Sequence, residues 1–277
     1  MKARWLVALG TGVLAGLATL AARGEPPPLD ARLSVRAGSV LLQNGALEPG
    51  PRLTRDTWSA LPAAQRASAA LALIPGRFAP ERVALEQEPE RAAGVSPILG
   101  VECHRATGSL LLADSAADLP DSVWLHELAH VRVHGARPHA QLAQRVITAF
   151  EEGAADYYAA VFGGSPRLGF GAQQRDLRQA PNVGPSDWAS LAFPSFDPHR
   201  LGWTLAAALY EAEPRAGVLL ETALACLDGP GPLADADTPA HAITSLLASC
   251  PELGKDRLSE ILDDWLPPAF LNQTSPP

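Results

Sequence analysis

Two histidines and a glutamate stand close together in the stretch His126-Glu127-Leu128-Ala129-His130. On a helix, residues four positions apart lie on one face, a turn from each other. Both imidazoles can therefore reach a single metal ion, with Glu127 beside them, near enough to act on a water molecule held by that ion without being a ligand. The spacing predicts a helical metal site with two histidine ligands and a neighbouring base.

A third ligand is needed, because a catalytic zinc ion usually has three protein ligands and one open position for water. The next predicted helix contains Glu151, Glu152 and Asp156. Glu152 and Asp156 are four residues apart and share a helix face. Either glutamate is a candidate for the third ligand.

The HExxH motif followed about twenty residues later by Glu-Gly-x-Ala-Asp resembles the gluzincins, the thermolysin-like superfamily of zinc metallopeptidases, over roughly residues 95–212. The resemblance implies that Glu152 is the third zinc ligand. It also implies that Asp156 supports a ligand histidine, His126, from the side away from the metal. Such a carboxylate fixes the tautomer of the imidazole and raises its basicity.

A downstream segment, residues 197–202, places His199 at the start of a predicted helix with Gly202 a few residues later. In thermolysin-like enzymes a histidine before a helix, followed by a glycine, stabilises the oxyanion, and this pair is similar to that feature. The resemblance implies that His199 acts on the carbonyl oxygen, where negative charge develops during attack. A histidine that merely begins a helix is the alternative.

The resemblance implies zinc-dependent hydrolysis of peptide bonds in a peptide or protein substrate, with Glu127 as the general base. A second interpretation keeps the fold without the activity, as an envelope binding or scaffolding protein whose zinc is structural or lost. A third is a zinc hydrolase of a non-peptide amide, which would differ only in its cleft.

His134 lies a further four residues along the face that carries His126 and His130. It could be an additional ligand, but a solvated histidine at the end of a helix is the simpler interpretation. The metzincin pattern would need glycine at position 133 and histidine at position 136. The chain has Val133 and Ala136 there, so that family is excluded.

The first 24 residues have the layout of a secretory signal peptide. Lys2 and Arg4 precede an uncharged apolar run from Trp5 to Leu20, and Ala21-Ala22 follow before a proline-rich stretch. The run is near the lower length for a membrane span, so a single uncleaved anchor is the alternative. We expect an exported protein, periplasmic or secreted, either free or held by this segment.

The amino-acid composition limits the class of protein further. The chain has 277 residues, of which 47% are hydrophobic and 19% charged, with a formal net charge of −8. It is therefore globular, and it lacks the basic excess that a protein binding nucleic acid needs.

Of the three cysteines, Cys226 and Cys250 fall on predicted C-terminal helices and could pair. Three buried thiols, including Cys103, are the alternative.

The predicted elements run from a short β-rich part to a mostly helical part, which is an α+β layout. Strands are predicted at residues 39–43, 83–87, 95–103 and 109–113, and helices at 53–74, 122–134, 139–162, 198–211, 215–227, 239–249 and 255–265. Residues 163–197 are predicted to be a loop. The resemblance implies a zincin-like metallopeptidase domain, in which a small sheet precedes the HExxH helix and the glutamate helix.

These patterns divide the chain into four regions. They are the signal peptide or anchor at 1–24, an N-terminal region of unknown role at 25–94, a gluzincin-like catalytic domain at 95–270, and a tail at 271–277. Residues 25–36 are rich in proline and polar residues and are predicted to be a linker. Residues 25–90 could be an inhibitory prosegment, because they precede the catalytic part.

Overall fold

The computed structural model describes residues 33–36, 39–42, 55–80, 83–87, 100–104, 108–136, 145–169, 171, 174–183, 187–188, 197–228 and 239–267. The predicted signal peptide or anchor at residues 1–24 and the predicted tail at 271–277 lie outside these ranges. Among the described helices, none is both long and apolar enough to cross a bilayer.

Five short strands form one sheet. They are β1 (Leu33–Arg36), β2 (Ser39–Leu42), β3 (Ala84–Gln87), β4 (Val101–His104) and β5 (Ser109–Leu112). Their order in space is β1-β2-β3-β5-β4, and all neighbours are antiparallel except β3 and β5. Side chains of β4 alternate between buried and exposed, which is the pattern of a strand with one face on the core.

The strand β1 corrects the prediction of a linker at residues 25–36, which is wrong for Leu33–Arg36. This segment pairs with β2 in a register that runs from Leu33 opposite Leu42 to Arg36 opposite Ser39. Its sequence alternates apolar and polar residues, as a strand does, but the prolines just before it outweighed that signal. The sheet thus joins strands from the predicted N-terminal region with β4 and β5 of the predicted catalytic region.

Seven α-helices belong to the described residues. They are α1 (Arg55–Ala72), α2 (Asp121–Ala136), α3 (Arg145–Gly163), α4 (Pro198–Ala212), α5 (Val218–Asp228), α6 (Pro239–Ala248) and α7 (Glu252–Trp265). A 3-10 helix, Asp114–Asp118, precedes α2. The protein is therefore α+β with mostly helical content, as the sequence predicts.

The helix α3 lies at the centre of the molecule. Nearly every residue from Val146 to Ala160 is buried, including its charged ones, so α3 is covered on all sides. It packs against α2 on one side and α4 on another. Because α2 and α3 are the helices predicted to carry the metal ligands, this packing determines which of their side chains meet.

The helices α3 and α4 cross at two glycines. A Cβ atom added to Gly153 would lie 2.8 Å from the carbonyl oxygen of Gly202, and one added to Gly202 would lie 2.9 Å from the Cβ of Glu152. Contacts this short do not occur between real side chains and backbone, so the crossing needs glycine on both helices. The close approach brings the first turn of α4 beside Glu152.

The predicted loop at residues 163–197 contains a small hairpin, which corrects that prediction. The strands β6 (Arg167–Leu168) and β7 (Arg175–Asp176) pair antiparallel. Two residues per strand are too few for a periodic pattern to be visible in the sequence. The hairpin places Arg175 beside Asp156 of α3.

A disulfide joins Cys226 on α5 to Cys250 just after α6, so of the two alternatives that the sequence leaves open the structure has the paired one. Its two cysteines are 24 residues apart in the sequence. By restricting the unfolded chain, a loop of this size contributes about 3.5 kcal/mol to the free energy of unfolding. The remaining cysteine, Cys103, is buried on β4.

Candidate metal centre

Three ligand atoms from α2 and α3 converge at one point. The Nε2 atoms of His126 and His130 are 3.1 Å apart. They lie 3.2 Å and 3.3 Å from Oε2 of Glu152. All three side chains are buried. This cluster could hold a metal ion.

The spacing of these atoms fits a tetrahedral ion. Two ligand atoms that each lie about 2.0–2.1 Å from zinc at a tetrahedral angle are about 3.3 Å apart. The three separations, 3.1, 3.2 and 3.3 Å, are close to that value and longer than a charge-assisted hydrogen bond. The donor set of the chain therefore fits such an ion with one further position left open.

The apolar side of α2 holds its histidines in place. Trp124, Leu125 and Leu128 are fully buried in the core. The four-residue spacing then directs His126 and His130 toward α3. The placement of the two histidines thus follows from spacing within α2, whereas the position of Glu152 depends on how α3 packs against α2.

A carboxylate lies behind His126. Asp156 Oδ1 is 2.8 Å from His126 Nδ1, and Asp156 Oδ2 is 3.2 Å from a guanidinium nitrogen of Arg175. When Nδ1 donates its proton to Asp156, the lone pair on Nε2 faces the cluster. The structure thus brings together the two residues that the resemblance pairs, and adds Arg175 behind them.

Glu151 lies on the other side of His130. Its Oε1 atom is 2.7 Å from His130 Nδ1 and 2.6 Å from His134 Nε2. It therefore contacts the ring nitrogen that points away from the three-atom cluster, whereas Glu152 contacts Nε2. The prediction that His134 is solvated is wrong, because only 2% of its surface is exposed.

Glu127 sits at the edge of the cluster and is half-buried. Its Oε2 atom accepts a hydrogen bond of 2.7 Å from the backbone N–H of Cys103 on β4. Burial raises the pKa of the Glu127 carboxyl above its ordinary value, although the nearby charges of His126 and His130 oppose this. A general base works best with a pKa raised toward neutrality.

His199 approaches from the first turn of α4. Its Nε2 atom is 3.3 Å from Glu152 Oε2, and its ring stacks on that of His126 with centroids 6.3 Å apart. Asp197 caps α4 by accepting a hydrogen bond from the His199 backbone N–H, and its carboxylate also contacts His199 Nδ1. His199 is half-exposed and is not part of the compact three-ligand cluster. His199 therefore lies on the solvent-facing side of the cluster.

The imidazoles and carboxylates of the cluster compensate one another's charges. Burial lowers the pKa of His126, but the hydrogen bonds that it donates to Asp156 and Glu152 raise it overall to about 9. Burial also lowers the pKa of His130, but the charges of Glu152 and Glu151 outweigh it and hold that pKa well above its usual range. In turn, despite burial, His130 holds the pKa of Glu152 well below the ordinary value. Carboxylates arranged to hold protonated imidazoles can equally compensate a metal cation.

Two features of the site were not predicted from sequence. One is the contact of Glu151 with two histidines, for which its position next to Glu152 was the available signal. The other is Arg175, since no local spacing connects a residue in a two-residue strand to Asp156.

The chain was compared with models of known protein families, with curated proteins and with solved structures, and none of the three comparisons gives a match. The case for a metal centre therefore rests on the geometry of its residues: a buried cluster of His126, His130 and Glu152, with Glu151 adjoining, that could hold a metal ion.

Proposed function

We propose that this protein is a zinc-dependent peptidase of the gluzincin kind, built on a zincin-like fold. His126, His130 and Glu152 hold the zinc ion in this proposal. The observation that carries it is the convergence of three buried ligand atoms at 3.1–3.3 Å, with Glu127 and His199 at the edge of the cluster.

Zinc is the metal that this donor set on an HExxH helix favours. Two imidazole nitrogens and one carboxylate oxygen, with a position left open, are typical of a catalytic zinc site. Magnesium and calcium prefer sites made of oxygen ligands alone. The buried surroundings also favour an ion that needs few ligands.

The chemistry divides among three parts of the site. When bound, zinc supplies a Lewis acid that polarises a carbonyl and lowers the pKa of water. Glu127 takes a proton from the attacking water and delivers it to the leaving nitrogen. His199 donates a hydrogen bond to the carbonyl oxygen as negative charge develops there.

A peptide is the substrate that the resemblance to the gluzincins implies, and the strand β4 lies beside the candidate site. In the described sheet, β4 is an edge strand, and the backbone N–H of Cys103 points toward Glu127 rather than toward β5. The outer edge of β4 therefore faces the candidate site.

Export belongs to the same proposal. Residues 1–24 act as a signal peptide or as a single membrane anchor, and the protein works in the periplasm or outside the cell. The disulfide between Cys226 and Cys250 supports this, because disulfides form and persist in oxidising compartments.

The first test is the metal content of the purified protein, with Glu152→Ala beside the wild type. We expect one zinc ion per chain in the wild type and its loss in Glu152→Ala. The matched control is Glu260→Ala, which removes an exposed glutamate of α7 and should retain zinc. Absence of zinc from the reconstituted wild type would overturn the proposal.

The second test is hydrolysis of a peptide library. We expect Glu127→Gln to keep its zinc and to lose about 10²–10⁴-fold in rate, the usual contribution of a general base. Full activity of that variant would show that Glu127 is not the base. Zinc binding without hydrolysis of any peptide would favour the binding or scaffolding protein, and hydrolysis of non-peptide amides alone would favour the third interpretation.

A further inference from the structure

Behind the candidate metal ligands lies a second buried cluster, formed by Glu151, His130 and His134. Oε1 of Glu151 is 2.7 Å from His130 Nδ1 and 2.6 Å from His134 Nε2. The two imidazole rings are stacked, with centroids 6.4 Å apart. At most 5% of any of these residues is exposed. A histidine buried this deeply has lost its water, so its contacts inside the protein must compensate.

The cluster could in principle be a second metal site, since its three ligand atoms lie close together. Its distances indicate hydrogen bonds instead. Separations of 2.6 and 2.7 Å are those of charge-assisted hydrogen bonds. Ligand atoms around a tetrahedral zinc ion would be about 3.3 Å apart, as they nearly are in the cluster of His126, His130 and Glu152. One carboxylate oxygen of Glu151 therefore accepts an N–H from each histidine.

We propose that Glu151 and His134 form a positioning pair for the metal ligand His130. The hydrogen bond from Nδ1 to Glu151 keeps the proton on that nitrogen and directs the Nε2 lone pair toward Glu152. His134 holds the same oxygen of Glu151 from the other side, so that the carboxylate cannot turn away. This inference rests on the proposed zinc site.

The arrangement follows from the helices that carry these residues. On α2, positions 126, 130 and 134 lie in one row, one turn apart. On α3, the consecutive residues Glu151 and Glu152 point in directions about 100° apart. One therefore reaches the metal side of His130, and the other reaches its opposite side. Each proposed ligand histidine thus has its own supporting carboxylate, Asp156 for His126 and Glu151 for His130.

Zinc affinity, measured by competition with a chelator, tests the pair. Glu151→Ala should weaken zinc binding by about 10- to 100-fold, the usual effect of losing a carboxylate behind a ligand histidine. Glu151→Gln keeps the volume and one acceptor oxygen, and should recover part of that loss. His134→Ala should also weaken binding, and His134→Gln should recover part of it, because the glutamine amide can donate where Nε2 does. Glu260→Ala is again the control. Unchanged affinity in both Glu151→Ala and His134→Ala would overturn the proposal.

A measurement without zinc separates this proposal from the proposed function. In metal-free protein labelled with ¹⁵N-histidine, NMR should show exchange-protected ring N–H signals for His130 Nδ1 and His134 Nε2. Both should disappear in Glu151→Ala, while the Nδ1–H signal of His126 persists on Asp156. If the wild type binds no zinc, the zinc site fails, but these signals still report the pairing. Ring signals unchanged in Glu151→Ala, or two zinc ions per wild-type chain with one lost in that variant, would overturn it.

Discussion

At the scale of single residues, the site is organised by carboxylates that lie behind histidines. Asp156 accepts from His126, and Arg175 in turn contacts Asp156. Because Asp156 is 1% exposed, its charge needs partners on both oxygens to offset the cost of burial. Arg175 therefore acts on His126 through Asp156, at a distance from the metal cluster.

This role of Arg175 is testable by the free energy of unfolding. Removing one partner of a buried ion pair costs about 3–5 kcal/mol. We expect Arg175→Gln to cost less, about 1–3 kcal/mol, because the Arg175 side chain is still 15% exposed and Asp156 keeps its hydrogen bond to His126. The matched control is Arg167→Gln on the same hairpin.

The Arg167 side chain is 77% exposed and pairs only at the surface with Asp176, so its loss should cost about 0–1 kcal/mol. Urea unfolding of both variants gives the comparison. Equal losses in the two variants would mean that the ion pair of Arg175 with Asp156 does not stabilise the site.

The sequence predicts part of this residue-level geometry and not the rest, for a physical reason. The convergence of His126 and His130 follows from spacing within one helix, which is local. The choice between Glu151 and Glu152 depends on how α3 is rotated about its axis against α2. That rotation is a property of packing, so the spacing of Asp156 could favour one glutamate but could not reveal the partner of the other.

At the scale of elements, the crossing of α3 and α4 controls how His199 meets the cluster. Gly153 and Gly202 allow the two helices to touch through their backbones. His199 stands three residues before Gly202, in the first turn of α4, and reaches Glu152 at 3.3 Å. The sequence predicted both helices, but only their packing shows why glycine is needed at each of these positions.

Substitution of Gly202 by alanine should therefore affect turnover more than zinc binding. The added Cβ would lie 2.8 Å from the backbone nitrogen of Gly153, so α4 must move away from α3. Overpacking of this kind costs about 1–3 kcal/mol in stability. We expect kcat/KM for peptides to fall as His199 withdraws with α4. Zinc affinity should fall less, because the same movement relieves the contact of the new Cβ with the Cβ of Glu152.

Gly163→Ala is the matched control at the end of α3, since its Cβ would meet Leu125 at an ordinary 3.4 Å. This variant should retain both stability and turnover. If Gly202→Ala hydrolyses peptides at the wild-type rate, then either the helices tolerate the added methyl group or His199 has no part in the reaction.

At the scale of the whole molecule, the sheet ties the N-terminal region to the helices. The strand β3 pairs with β5, and the buried hydroxyl of Tyr158 on α3 donates to the backbone carbonyl of Phe78. Removal of residues 25–90 would take away β1–β3 and leave that hydroxyl without this acceptor. A prosegment at 25–90 would therefore give up these contacts when it is removed.

The balance of buried charges also predicts how the stability of the metal-free protein depends on pH. The pKa of His126 is raised from its ordinary 6.5 to about 9 in the fold, so its contribution is complete below pH 6.5 and is lost as pH rises through 9. The pKa of Glu151 is lowered from 4.5 to about 2, so its contribution is complete above pH 4.5 and is lost as pH falls through 2. Both contributions are present together between pH 4.5 and 6.5.

We therefore expect the melting temperature of chelator-treated protein to be highest in that window and to fall on both sides. Zinc should remove the alkaline fall, because bound metal replaces the protons on His126 and His130, and should help least in acid, where protons compete for the same nitrogens. His126→Asn should flatten the alkaline side of the metal-free profile. A metal-free melting temperature that rises between pH 6.5 and 9 would contradict the assignment of buried, protonated imidazoles to this cluster. In that case, the difference between the pH profiles of melting temperature with and without zinc would not report zinc bound at His126 and His130.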